Sequence, residues 1–239
     1  MTDYKSRWNV SKTALMILCN VSLLAVLAGC DDDDENNVVP VEVAYVSLYN
    51  ASPNSPDLDI VVDDRLINVY PLDYTDHTGY LRFFTGERNI KFRPFSASNI
   101  IVDTVFNLEP NDAYSIFITD TYESAEALLL RDNTSAPAEG NAKVRFINLS
   151  PDAPGVNLKA DGEVESLFGD ITFQESTEFK EVEADAYDFT VTSATGEQVL
   201  LDIPNVRLQP GWYYTLLVRG YQTPPGGNQN VLSAEIVVN

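Results

Sequence analysis

A cysteine thiol and one imidazole are the side chains of this sequence best suited to covalent or acid–base chemistry. Of the 2 cysteines in 239 residues, Cys19 lies within an apolar stretch and Cys30 ends it. His77 is the only histidine and stands among turn-forming residues, close to Asp73 and Asp76. A triad or a metal site would depend on that one imidazole. We therefore expect Cys30 to carry covalent chemistry, and His77 to be an exposed loop residue.

The segment before Cys30 has the layout of a secretory signal peptide. A positively charged start is followed by an apolar region from Ala14 to Ala28, which is too short to span a membrane. The order Leu27-Ala28-Gly29-Cys30 resembles the bacterial lipobox, in which signal peptidase II cuts before the cysteine. The resemblance implies a lipoprotein signal peptide at 1–29 and a membrane anchor on Cys30. The alternative is an ordinary signal peptide with a cysteine there by chance.

An acidic run follows Cys30 directly. Its members are Asp31, Asp32, Asp33, Asp34 and Glu35. The run resembles the export signal of surface lipoproteins in some Gram-negative lineages, so we expect an outer-membrane lipoprotein exposed on the cell surface. The alternative is a periplasm-facing lipoprotein in which residues 30–41 serve only as a solvated tether. About ten extended residues would reach on the order of 35 Å in either case.

Charge and cysteine content narrow the classes of partner. Residues 1–29 contain three cations and one anion, so the formal net charge of −21 becomes −23 without them. Such an excess of negative charge argues against nucleic acid as a partner. With Cys19 removed and Cys30 acylated, no disulfide can form, and packed cores must supply the stability. The sequence contains no signature of a cofactor or a metal site.

A repeat of about 98 residues occupies the rest of the chain. Residues 44–56, AYVSLYNASPNSP, return at 142–154 as AKVRFINLSPDAP. Later, LEPNDAYSI at 108–116 matches LQPGWYYTL at 208–216. A repeat of this length indicates a duplicated domain rather than a solenoid unit.

Within each repeat, short runs alternate between apolar and polar residues and are bounded by Pro, Gly, Asn or Asp. This pattern predicts an all-β fold with two tandem antiparallel β-sandwich domains, immunoglobulin-like or transthyretin-like. We place the domains at 42–132 and 142–239, with a linker at 133–141. Residues 123–130 are compatible with a short helix or with an edge strand.

The repeated Asn-x-Ser-Pro-[Asn/Asp]-x-Pro segments carry a family resemblance. In both copies an aspartate, Asp63 or Asp161, follows seven residues after the last proline. The segments resemble the opening of the bacterial family named domain of unknown function 4397, over nearly all of residues 42–239. The resemblance implies secreted or lipid-anchored β-sandwich modules without an established activity. Asn50 and Asn148 stand where many members carry histidine, so a metal site is not expected there.

The prolines of this motif account for it structurally, because they fix φ and prevent the strand from continuing. We expect its polar residues to bond nearby backbone amides in Asx or Ser turns. These residues are Ser52, Asn54, Ser150 and Asp152.

Aromatic residues of the second repeat are the best candidates for ligand binding. Trp212, Tyr214, Leu216 and Val218 alternate onto one strand face, which we assign to the core. Tyr213, Arg219 and Tyr221 would then point outward and could stack on sugar rings or on a partner protein. The alternative is that they fill a sheet by cross-strand packing.

The sequence as a whole favours an envelope lipoprotein that displays two modules for binding or adhesion and is not an enzyme. Its ligand would be a glycan or a protein. It has no Gly-x-Ser-x-Gly nucleophile elbow, and its carboxylates are abundant without a distinctive spacing. The alternatives are a periplasm-facing structural lipoprotein and, less favoured, a carbohydrate-active enzyme with an acidic pair.

Overall fold

Sixteen strands and one 3-10 turn make up the part of the chain described by the structure, a computed structural model that covers residues 41–196 and 198–239. These residues belong to one unit, Val41–Asn239. The strands form four four-stranded sheets, and the predicted all-β fold of two tandem sandwiches is confirmed. The predicted signal peptide, Cys30 and the acidic run lie outside the described residues.

The first sandwich contains eight strands. They are β1 (Val43–Asn50), β2 (Leu58–Val62), β3 (Arg65–Leu66), β4 (Leu81–Phe84), β5 (Gly86–Pro94), β6 (Val102–Leu108), β7 (Ala113–Thr119) and β8 (Glu126–Arg131). The sheets have the orders β4-β1-β7-β8 and β3-β2-β5-β6. The ambiguous segment 123–130 forms mainly the edge strand β8, after a 3-10 turn at Tyr122–Ser124.

The second sandwich repeats this plan. Its strands are β9 (Asn141–Asn148), β10 (Val156–Ala160), β11 (Phe168–Ile171), β12 (Lys180–Glu183), β13 (Ala186–Ser193), β14 (Val199–Arg207), β15 (Tyr213–Arg219) and β16 (Ser233–Val238). The sheets have the orders β12-β9-β15-β16 and β11-β10-β13-β14.

One strand pair in each sandwich is parallel, although we predicted antiparallel sandwiches. Val46 of β1 lies opposite Tyr114 of β7, and Val144 of β9 lies opposite Tyr214 of β15. All the other named strand pairs of the described residues are antiparallel. Alternation of apolar residues sets the buried face but not the strand direction. Parallel pairs are typical of strands buried on both faces, and these four strands are.

Three apolar clusters explain this double burial. Each sandwich has its own core between its two sheets, to which β1 and β7, or β9 and β15, contribute alternate residues. The third cluster lies between the two sandwiches. Its buried members are Tyr49, Ala51, Phe117, Ile147, Leu149, Leu217 and Val237. The sheet containing β1 therefore packs on the sheet containing β9, and the four sheets stack as four layers.

Candidate functional site

Two of the three residues predicted to bind a ligand are largely buried. Tyr221 is only 5% exposed, and the Arg219 guanidinium lies 5.8 Å from the ring centroid of Tyr74 and pairs with Glu235. The half-buried Tyr213 meets Phe179 edge to face, with ring centroids 6.1 Å apart. The expectation that these side chains point into solvent is therefore wrong for Tyr221 and for Arg219. The ligand role of the three residues stays a prediction.

The predicted core face of the same strand needs one correction. Tyr214, Leu216 and Val218 are buried as expected, but Trp212 is 48% exposed. It precedes β15 in a turn, where strand alternation does not apply.

A buried ion pair crosses the contact between the sandwiches. Arg145 of β9 pairs with Asp132, which follows β8, and their side chains are only 3% and 2% exposed. The same carboxylate accepts hydrogen bonds from the Ser115 hydroxyl at 2.9 Å and from the Tyr80 hydroxyl at 2.7 Å. The Arg145 Nε donates to Thr215 Oγ1 at 2.8 Å. Because most polar atoms of the pair are satisfied, the burial of two charges is tolerable here.

The opposite end of this contact is also polar. Asn228 Nδ2 of the second sandwich donates to the Pro53 carbonyl of the first at 3.0 Å, and Gln174 Nε2 donates to Thr119 Oγ1 at 2.8 Å. Burial raises the pKa of Tyr74 to about 12, although the charge of Arg219 acts in the opposite direction. The two sandwiches are thus held by an apolar centre with hydrogen bonds at both ends.

The repeated motif fixes the fold through its first asparagine. Asn50 and Asn148 are buried, and each Nδ2 donates at 3.1 Å to a backbone carbonyl, of Leu72 and Ile171 respectively. Each Oδ1 accepts the amide two residues later, at 3.3 and 3.0 Å. A side chain satisfied in this way needs no ligand.

The later motif residues bind across the sandwich rather than locally. Asn54 Oδ1 accepts the Tyr122 amide at 2.7 Å. The carboxylate of Asp152 accepts the amides of Gln222 and Thr223 at 2.7 and 2.8 Å. The prediction of local Asx turns is therefore wrong for these two side chains, which tie the loop after β1 or β9 to the loop after β7 or β15.

His77 is exposed, as predicted, and stacks on Tyr49 with ring centroids 5.0 Å apart. Its Nδ1 accepts the Gly79 amide at 3.2 Å. The pKa of the nearby Asp73 is raised by desolvation and by the carboxylates of Asp57 and Asp76. Within the described residues no group of three or more His, Cys, Asp or Glu is placed to hold a metal ion. No helix in the same part of the chain is long and apolar enough to cross a membrane.

A groove of about 450 Å³ lies at one edge of the first sandwich, and we call it the arginine groove. Its apolar lining includes Val62, Ile67, Leu81 and Phe84, and Phe84 is 62% exposed. Three arginines also line the groove. They are Arg65 on β3, Arg82 on β4 and Arg88 on β5. Arg65 and Arg88 lie in one sheet of the first sandwich and Arg82 lies in the other, so the packing of the two sheets brings the three together. Sequence reasoning missed the groove for that reason.

The groove is positively charged. Arg88 pairs with Asp63 at 2.8 Å, and its Nε is buried without a hydrogen-bond partner. Arg65 and Arg82 are exposed and form no salt bridge with any residue that the structure describes. With Asp63 as the only carboxylate in the lining, the formal charge is positive by two. That is unusual on a chain of net charge −21.

Comparison with known proteins supports the family seen in the sequence. Residues 44–159 match the model of the family described as domain of unknown function (DUF4397). The match runs through the first sandwich into β10 of the second. No curated protein matches the chain.

Several solved structures show weak similarity. The C-terminal domain of AlgF from P. aeruginosa is 23% identical, with a TM-score of 0.32, over 42% of this chain and 100% of that domain. The CBM26-family structure from Eubacterium rectale Amy13K, solved with maltoheptaose, is 6% identical over 82% and 97%, with a TM-score of 0.25. A candidate cell adhesion protein from Parabacteroides distasonis is 10% identical over 82% and 98%, with a TM-score of 0.20. Such similarity carries no function to this chain.

Proposed function

We propose that this protein is an outer-membrane lipoprotein that displays a rigid pair of β-sandwiches at the cell surface for non-enzymatic binding or adhesion. Cys30 would carry the lipid, and residues 31–41 would separate the head from the membrane. The ligand would be a glycan or a protein.

The contact between the sandwiches is the observation that carries this proposal. The Asp132–Arg145 pair and the apolar cluster around Phe117 and Ile147 make the two sandwiches one head without a hinge. Sheets pack about 10 Å apart, so the two outer sheets stand about 30 Å from each other. A rigid head held away from the membrane suits display, because it presents a preformed surface at a distance from the headgroups.

Localisation in whole cells tests the proposal. The wild-type protein should incorporate labelled palmitate, sediment with outer membranes and be cleaved by protease added to intact cells. Cys30→Ala should lose the label and the membrane attachment. Replacing Asp31 to Glu35 by alanine should keep the label but protect the head from protease. Continued acylated attachment of Cys30→Ala would overturn the anchor, and protection of the wild type would favour the periplasm-facing alternative.

A further inference from the structure

We propose that the arginine groove binds an oligosaccharide that carries carboxylate groups, such as a chain of uronic acids. The inference names the ligand class for the proposed binding role and does not depend on the anchor. It stands on the lining of the groove, its charge, and the matching edge of the second sandwich.

The second sandwich shows which residues stand at the positions of the three arginines in the other copy of the domain. The cross-strand pair Val62–Ile90 of the first sandwich corresponds to Ala160–Phe189 of the second. In the same way, the pair Val46–Leu81 corresponds to Val144–Lys180. These registers align Arg82 with Glu181, and Arg88 with Tyr187. The 98-residue spacing of Asp63 and Asp161 aligns Arg65 with Glu163.

The second sandwich therefore folds without arginine at these positions. The same edge carries glutamate at two of the three places in the second copy, and Phe84 aligns with Glu183. An exposed phenylalanine beside unpaired guanidinium groups has no counterpart there. Features of one copy that the fold does not require are the ones that ligand binding best explains.

The chemistry of the lining selects the ligand. A guanidinium group presents planar paired donors that match a carboxylate, and Arg65 and Arg82 have these donors free of carboxylates among the described residues. The exposed ring of Phe84 with Leu81 and Ile67 offers an apolar surface on which a sugar ring can lie. A volume of about 450 Å³ lies in the range of small-ligand sites.

Other anions satisfy only part of this lining. Inorganic phosphate would leave the apolar surface uncovered, and a fatty acid would leave its chain in water because the groove is lined by exposed side chains such as Arg82 and Phe84. The chain's own acidic run has the right charge, but Asp and Glu lack an apolar face for Phe84.

Calorimetric titration tests the proposal on residues 30–239 carrying Cys30→Ala. Oligogalacturonates of two to six units are the probe, and maltohexaose is the neutral control. We expect binding of the acidic oligomers alone, weakening as salt rises. Arg65→Glu and Arg82→Glu should each lower the affinity about tenfold or more, and Phe84→Ala should also lower it. Arg207→Glu, an exposed arginine on β14, makes the same charge change outside the groove and should leave affinity unchanged.

Three outcomes would overturn the proposal. Equal losses for Arg207→Glu and Arg82→Glu would show that net charge alone attracts the probe. Absence of oligogalacturonate binding to a chain with a wild-type melting temperature would reject the ligand class. The peptide Asp-Asp-Asp-Asp-Glu could bind more tightly than the oligogalacturonates, and removal of residues 30–37 could raise the affinity for the glycan. Both results together would show that the groove binds the chain's own acidic run. None of these results bears on localisation, so the proposed anchoring and surface display are tested independently of the ligand.

Discussion

The two sandwiches share a fold but differ at the matching edge, where the first has arginines around an exposed phenylalanine and the second has glutamates. What they share is buried or tied to the backbone, as at Asn50 and Asn148. What they do not share lies at the exposed edge and at the contact between the sandwiches, where Asn239 stands in the place of Asp132. A duplicated chain thus separates the residues that maintain the fold from those free to acquire a role.

The sharpest break in this symmetry is at the contact between the sandwiches. Asp132 and Asn239 occupy matching positions, since their amides donate to the Ala113 and Tyr213 carbonyls, yet only Asp132 has a charged side chain. Asp132→Ala leaves Arg145 buried without its partner, and we expect a loss of about 3–5 kcal/mol in the free energy of unfolding. Asn239→Ala should cost about 0.5–1.5 kcal/mol. Urea unfolding measures both, and equal losses would contradict the assignment.

The motif asparagines should behave alike in both copies. Asn50→Ala and Asn148→Ala each remove a buried bond to a carbonyl, and each also removes the acceptor of a buried amide, that of Ser52 or Ser150. We expect losses of about 1–3 kcal/mol for each, from the same urea titration. Asn→Asp at either position is a useful control because it keeps the acceptor and removes the donor. A loss confined to one copy would contradict a shared structural role.

Alkaline pH should reveal a difference between Tyr74 and its counterpart Phe173, which lies 99 residues later. The pKa of Tyr74 is 10.0 as an ordinary value and about 12 when buried in the fold. Between these values the unfolded chain loses the proton and the folded chain keeps it, so stability falls as the pH rises from 10 to 12. Tyr74→Phe should make the melting temperature fall less steeply over that window. An unchanged slope would rule out Tyr74 as a contributor.

The smallest expected effect on stability is at Arg82 and Glu181, which occupy matching positions in the two sandwiches. Glu181 accepts the Asn141 side-chain amide at 2.6 Å and the Ala138 amide at 3.2 Å, and these bonds lower its pKa. Arg82→Ala should change the free energy of unfolding by no more than about 0.5 kcal/mol. Glu181→Ala should cost more near neutral pH, and the difference should vanish as the pH falls below the lowered pKa. A greater loss for Arg82→Ala would give Arg82 a structural role.

The alternation of apolar residues and the repeat in the sequence predicted the fold class and one buried face of the central strands. Alternation at Val46 and Leu48, and again at Leu216 and Val218, predicts residues that the structure buries in the cores. Alternation also assigns the opposite face to solvent, and there it fails, because a second sandwich covers that face. The unbroken apolar runs Ile116-Phe117-Ile118 and Leu216-Leu217-Val218 are the signal that both faces are buried.

The arginine groove could not be predicted from the sequence, for a different reason. Arg65, Arg82 and Arg88 belong to three strands in two sheets, and their proximity depends on strand register and on sheet packing that local pattern does not fix. The parallel direction of β1 and β7 could not be predicted from local pattern either. Only the 98-residue repeat offered a hint, since aligned positions of opposite charge can be read from it once the registers are known.

The position of β1 has a mechanical consequence. It is hydrogen-bonded to β4 on one side and to β7 on the other, and Val43 begins it. Tension entering the chain before Val43 pulls along β1 and loads both rows of hydrogen bonds together in shear, rather than opening them one at a time. Because Arg82 and Phe84 lie on β4, a ligand bound there as proposed would pass force to the N-terminal end across the single row of bonds between β4 and β1.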